Sequence, residues 1–89
     1  VNIESLPIEG TEIRVFPNPF SQSALLQVEG IELKAFELIV YDLLGQQLHV
    51  VEGFGNEIEL QRNNLPAGTY IFRLRSKGRT IGTGKIIVQ

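Results

Sequence analysis

With 89 residues, no cysteine and no apolar run near the ~20 residues of a membrane-spanning helix, the chain reads as one small domain that folds without disulfides, a thiolate metal site or a membrane helix. The net charge of −2 conceals an asymmetry: residues 1–59 hold two basic and ten acidic side chains, residues 60–89 six basic and none acidic. The acidic whole, with no aromatic residue interleaved in the basic cluster at the spacing of RNA-recognition motifs, argues against nucleic acid as a partner. The basic half either offers a face to an acidic receptor or anionic glycan, or supplies strands whose charges complement the acidic half across a sheet; the second reading is preferred. The start, Val1-Asn2-Ile3-Glu4-Ser5, has neither the basic nor the apolar region of an export signal. With no leading Met the chain is expected to be part of a longer polypeptide, residues 1–10 being a linker and residues 11–89 the domain.

Short alternating runs bounded by Gly, Pro and Asn recur at intervals of about ten residues, the pattern of an all-β sandwich or barrel. A first strand is expected from Glu12 to Phe16 and a second from Ser23 to Glu29, with Ala24, Leu26 and Val28 facing inward. A third carries Phe36, Leu38 and Val40 inward and ends at Tyr41-Asp42. Asp42-Leu43-Leu44-Gly45 has tight-hairpin composition, with Gly45 supplying positive φ and Asp42 capping the turn. The fourth strand, Gln46 to Glu52, is expected to bury Leu48 and Val50 and to turn His49 outward. Phe54, between two glycines, is expected to cover an open end of the core. A fifth strand, Glu57 to Gln61, turns Ile58 and Leu60 inward. The sixth alternates Tyr70, Phe72 and Leu74 with Ile71, Arg73 and Arg75. The last, Thr80 to Val88, contains Gly82 and Gly84, which imply a bulge or a close backbone approach. Two antiparallel sheets enclosing these faces make an immunoglobulin-like β-sandwich of about seven strands, with Tyr70 placed as the tyrosine corner of such folds.

Turn motifs bracket the domain. Pro17 and Pro19 lack backbone donors and fix φ, so they end the first strand in a rigid extended exit, while Asn18 is expected to bond its own backbone in the turn. Pro66-Ala67-Gly68 allows a bend that feeds the strand beginning at Tyr70. Pro-Asn-Pro, then Tyr41-Asp42-Leu43-Leu44-Gly45, then Leu65-Pro66-Ala67-Gly68-Thr69-Tyr70, then a basic and aliphatic terminal strand, in this order, resembles the type A C-terminal sorting domain of the Bacteroidetes type IX secretion system. The resemblance runs from about Ile13 to Gln89. It implies a non-catalytic signal, without cofactors, at the end of a cargo protein that reaches the periplasm by a separate export signal. The signal would be read by the outer-membrane translocon and shuttle, and in many members a sortase cuts upstream and joins the cargo to lipopolysaccharide at the cell surface. Its motif positions fall on Pro17, Asn18, Pro19, Tyr41, Asp42, Gly45, Pro66, Gly68 and Tyr70, and its terminal strand on Lys85, Ile86, Ile87 and Val88. Members often end in further lysines, whereas here Lys85 is the main positive charge of the last strand.

Other readings are weaker. Glu57 and Glu59 share a strand face, but a solvated edge is the commoner meaning of such a pair. His49 has no nucleophile and orienting acid to form a triad. Phe20, Phe54 and Tyr41 are the aromatic residues available for a glycan platform, the basis of the alternative in which the domain is a retained adhesion or glycan-binding module. If the last strand lies at a sheet edge, its unpaired backbone and Lys85 are the expected points of attachment, by strand addition. Cleavage is expected in the linker before about Glu12, where the backbone is extended and accessible. A monomer or weak dimer is expected.

Overall fold

The computed structural model describes residues 10–89, so the expected linker, Gly10 apart, lies outside the described residues. Seven strands follow in chain order: β1 (Glu12–Phe16), β2 (Ser23–Glu29), β3 (Ala35–Tyr41), β4 (Gln47–Phe54), β5 (Glu57–Gln61), β6 (Gly68–Ser76) and β7 (Arg79–Val88). They form a three-stranded sheet in the order β1-β2-β5 and a four-stranded sheet in the order β4-β3-β6-β7, and every pairing is antiparallel. The two sheets pack as the expected β-sandwich, with the fourth strand beside the third.

Alternation explains most of the core. Ala24, Leu26 and Val28 of β2 and Ile58 and Leu60 of β5 are buried against Phe36, Leu38 and Val40 of β3, Tyr70, Phe72 and Leu74 of β6, and Ile86 and Val88 of β7. Each fully buried aliphatic or aromatic side chain contributes about 1.5–3 kcal/mol relative to an exposed one. The outward side of the four-stranded sheet holds two further buried residues, Ile39 and Ile71, which lie outside that cluster. In register, Ile39 sits between Val50 and Arg73, and Ile71 between Tyr41 and Lys85. The Arg73 guanidinium lies 5.6 Å from the Tyr41 ring centroid, so its alkyl stem and the tyrosine shield apolar surface while the charge meets the ring face.

β4 departs from expectation. Val40 pairs with His49 and Tyr41 with Gln47, leaving Leu48 as the extra residue of a bulge. His49, Val51 and Gly53 therefore face the core side, Val51 packs against the core, Val50 is half-buried and Leu48 is exposed. Apolar residues occupy both parities of this strand, so alternation alone cannot choose its phase. Phe54 is 83% exposed and covers nothing. Phe20, in the loop after β1 at the opposite end of the sandwich, is the loop aromatic that is buried in the core.

The glycines of β7 serve both expected roles. Leu74 pairs with Gly82 and Arg75 with Thr80, so Ile81 is a bulge residue and turns into the core. Gly84 pairs with Phe72, and a Cβ there would stand 2.6 Å from the Phe72 ring. The same device recurs at Gly53, where a Cβ would meet the Phe36 ring at 2.8 Å. Because Phe72 is held on all sides, Gly84→Ala is expected to destabilise the fold by about 1–3 kcal/mol through overpacking. A lower denaturant midpoint with an unchanged slope is the measurement that checks it.

The registers also fix two ends. Phe16 pairs with Leu25, Ser23 with Gln61, Tyr41 with Ile71 and Gly68 with Val88, all at one end of the sandwich. Glu12 pairs with Glu29, Ala35 with Phe54 and Ser76 with Arg79 at the other, where the chain enters the fold. All four turn and strand motifs singled out in the sequence therefore meet at the end opposite the chain's entry.

Candidate recognition site

The Pro-Asn-Pro segment lies along the outer edge of β7. Asn18 Nδ2 donates to Lys85 O at 3.2 Å, and Ile87 N donates to Asn18 Oδ1 at 2.9 Å. One residue further along the main chain takes over: Phe20 N donates to Ile87 O at 2.9 Å and Gln89 N to Phe20 O at 2.8 Å, and Phe20 bridges Val88 in parallel fashion. The side-chain amide thus imitates a peptide group and continues the ladder across the gap left by two residues that have no N–H. Asn18 does not bond its own turn, because the proline-flanked chain runs beside β7 and brings the amide to that strand instead.

This arrangement changes the expected role of the last strand. β7 is indeed an edge strand, with Ile86 and Val88 buried and Ile87 half-buried. Its outward groups at Lys85, Ile87 and Gln89 are already bonded to Asn18 and Phe20. Strand addition there would have to displace the Pro17–Phe20 segment.

Arg62, which composition did not single out, secures the same region. Its Nη1 donates to Gln89 O at 2.7 Å and to Ser21 O at 3.1 Å, its Nε to Leu65 O at 3.0 Å, and its backbone N to Gln22 O at 2.8 Å. One guanidinium thereby ties the loop before β2, the loop before β6 and the end of β7 together. A basic residue closing a strand before Asn-Asn is the faint signal that marks it. Asn56 does comparable work at the entry end, donating to Val28 O and Ile31 O and accepting from Leu33 N.

The other motif residues stand as the turn chemistry requires. Asp42 Oδ1 accepts from Leu44 N and Gln46 N, both at 2.9 Å, while Gly45 N donates to Asp42 O, with Gly45 at φ 90°. The Tyr70 hydroxyl donates to Pro66 O, the tyrosine corner, and Gly68 opens β6 beneath it. Pro17 and Pro19 each follow a cis peptide bond. His49 faces a depression of about 470 Å³ lined by Leu48, Asn63, Asn64, Leu65 and Pro66. Its Nε2 lies 3.1 Å from Asn63 Nδ2, a hydrogen bond when the imidazole proton is on Nδ1.

An ion pair on the surface joins the two halves of the charge asymmetry. Glu37 and Arg75, opposite one another in register, approach to 3.8 Å and join the acidic and basic halves across β3 and β6. Arg14 lies between Glu12 and Glu29; the hydrogen bond its Nε donates to Glu12, then the two carboxylate charges, hold the guanidinium pKa above its ordinary value. Glu57 and Glu59 accept from the amides of Gln27 and Gln61 on the exposed face of the three-stranded sheet. Of the aromatic residues considered as a glycan platform, Phe20 is buried, Tyr41 lies against Arg73 and Phe54 stands at the opposite end.

A family described as the secretion system C-terminal sorting domain matches residues 14–89, which takes in all four motifs. The chain belongs to this family. As a type IX sorting domain it marks a protein for export to the cell surface or extracellular space, a role distinct from catalysis. The chain is also similar to an endo-acting ulvan lyase of Formosa agariphila, 28% identical over 95 residues; the alignment covers 100% of this chain and 18% of that protein. The chain thus spans less than a fifth of the relative's length.

Removing the Asn18 side chain deletes two hydrogen bonds at an exposed site, so Asn18→Ala is expected to cost about 1–2 kcal/mol and to speed amide exchange at Ile87. Asn18→Asp, which keeps the acceptor but sets a carboxylate against Lys85 O, is expected to protect the Ile87 amide while still lowering stability. Arg62→Ala should cost about 1.5–3 kcal/mol, since its lost bonds come from a charged donor. Hydrogen exchange followed at Ile87 and Gln89 checks all three.

Proposed function

We propose that the sorting domain is read as a folded unit by the type IX translocon and its outer-membrane shuttle, after its cargo has entered the periplasm, and that a sortase then removes it by cutting upstream of Glu12. The observation that supports this reading is that the four motifs lie at one end of a single fold, where hydrogen bonds join Asn18 to the last strand 67 residues away and Arg62 ties that strand to the loop before β6. A receptor facing that end meets groups that come together only after folding, so a linear segment of the chain would not substitute for it. The last strand contributes through the shape it completes: Ile86 and Val88 fill the core, and Arg62, Asn18 and Phe20 hold its edge.

The alternative of a retained adhesion or glycan-binding module is left with Phe54 as the exposed member of its aromatic set, since Phe20 is buried and Tyr41 lies against Arg73. The upstream cargo is proposed to be a surface or secreted protein, in keeping with the lyase that carries a similar segment.

A reporter with an N-terminal export signal, fused ahead of the 89-residue chain, is expected to leave a host that has the type IX system and to stay in the periplasm of a translocon-deficient strain. Removal of Lys85–Gln89 should abolish export, and Tyr70→Phe, which loses the bond to Pro66 O and about 1 kcal/mol, should lower it only modestly at 25 °C. Mass spectrometry of the exported reporter's C-terminus checks the cut: an intact domain on the mature protein would overturn the sortase step.

A further inference from the structure

Five large apolar side chains stand exposed among the described residues: Phe16 at 45%, Leu43 at 62%, Leu44 at 90%, Leu48 at 39% and Phe54 at 83%. The strand registers put all but Phe54 at the motif end, away from the point where the chain enters. Leu43 and Leu44 form the tip of the β3–β4 turn, and their exposure is not that of a loose loop. Asp42 Oδ1 fastens Leu44 N and Gln46 N, Gly45 N is fastened to Asp42 O, and Asp42 N to Gln46 O. Two adjacent leucines are thereby held out on a pre-ordered turn, beyond the shallow depression lined by Leu48, Leu65 and Pro66. A turn whose main chain is fixed in this way gives up little backbone freedom when its tip is buried by a partner.

We propose that the Leu43–Leu44 tip is a docking element that enters an apolar pocket on a protein of the secretion machinery. This rests on the sorting reading above and names the surface through which it operates. The occupant is a protein pocket rather than a bilayer because the flanking side chains are Asp42, Gln46 and Gln47; a membrane-seeking tip would be bordered by lysines and arginines that meet anionic headgroups. The tip also lies at the end of the sandwich opposite Gly10–Glu12, where the chain enters the fold. In protein contacts a few central residues carry most of the binding energy, and the groups around them exclude water.

The test uses the reporter fused to the full 89-residue chain. Leu43→Ser/Leu44→Ser is expected to keep the parental unfolding midpoint, since both side chains are in solvent, while export falls about tenfold or more, as for loss of anchoring residues from a buried contact. Phe54→Ser, at the other end, is expected to be exported like the parent. A photo-reactive residue placed at position 44 should form an adduct with a protein of the export apparatus, and one at position 54 should not. A folded double variant exported at the parental level overturns the proposal while leaving the sorting reading in place, as does an adduct at position 44 with lipid alone. If the double variant fails to fold, the adduct at position 44 decides. Failure of the unaltered fusion to leave the cell overturns the sorting reading, and this inference with it.

Discussion

The edge of β7 is where this fold is held shut. A terminal strand at the border of a sheet would ordinarily show a row of free N–H and C=O groups, and it would fray for want of partners on that side. Here the chain from the far end of the sequence returns to supply them, first with the Asn18 amide and then with the Phe20 main chain, and Arg62 grips the final carbonyl. The same segment delivers Phe20 to the core. Two things that look unrelated in sequence, an early proline-rich turn and a late aliphatic strand, are thus one structural unit, and the burial of Ile86 and Val88 depends on it.

That unit alters what the motifs mean. Prolines beside Asn18 leave a segment that cannot donate from its own backbone at those two positions, so the asparagine side chain becomes the donor and acceptor that a strand needs. The lysine of the last strand contributes its carbonyl to this pairing, whatever its ammonium group does. Basic residues that give the C-terminal half its charge are engaged in the same spirit: Arg62 with carbonyls, Arg73 with the Tyr41 ring, Arg75 with Glu37. The motif end shows Phe16, Leu43, Leu44 and Leu48 outward, together with the exposed Lys85.

Strand positions, the core of β2, β3, β5 and β6, the Asp42 turn and the Tyr70 corner were all legible from alternation and turn chemistry, because each is a local pattern with a period or a composition of its own. The bulge and close approach foreshadowed by Gly82 and Gly84 belong with them. The phase of β4 was not legible, since Leu48, Val50 and Val51 satisfy either face and only pairing with Val40 through a bulge decides. Phe20 and Phe54 exchanged roles for a similar reason: a lone aromatic in a loop carries no periodicity. Arg62 and the reach of Asn18 were hidden most deeply, because a side chain that bonds a carbonyl 27 or 67 residues away leaves no local trace.

The chain's entry and its motif end lie at opposite tips of a body whose long dimension is 31 Å. If the motif end is anchored and the upstream polypeptide is pulled, the tension runs along β1. Hydrogen bonds in an antiparallel pair stand perpendicular to the strands, so the rungs joining Glu12–Phe16 to β2 are sheared together instead of being unzipped one at a time. A tag built this way resists a pull along its towline better than a sideways peel.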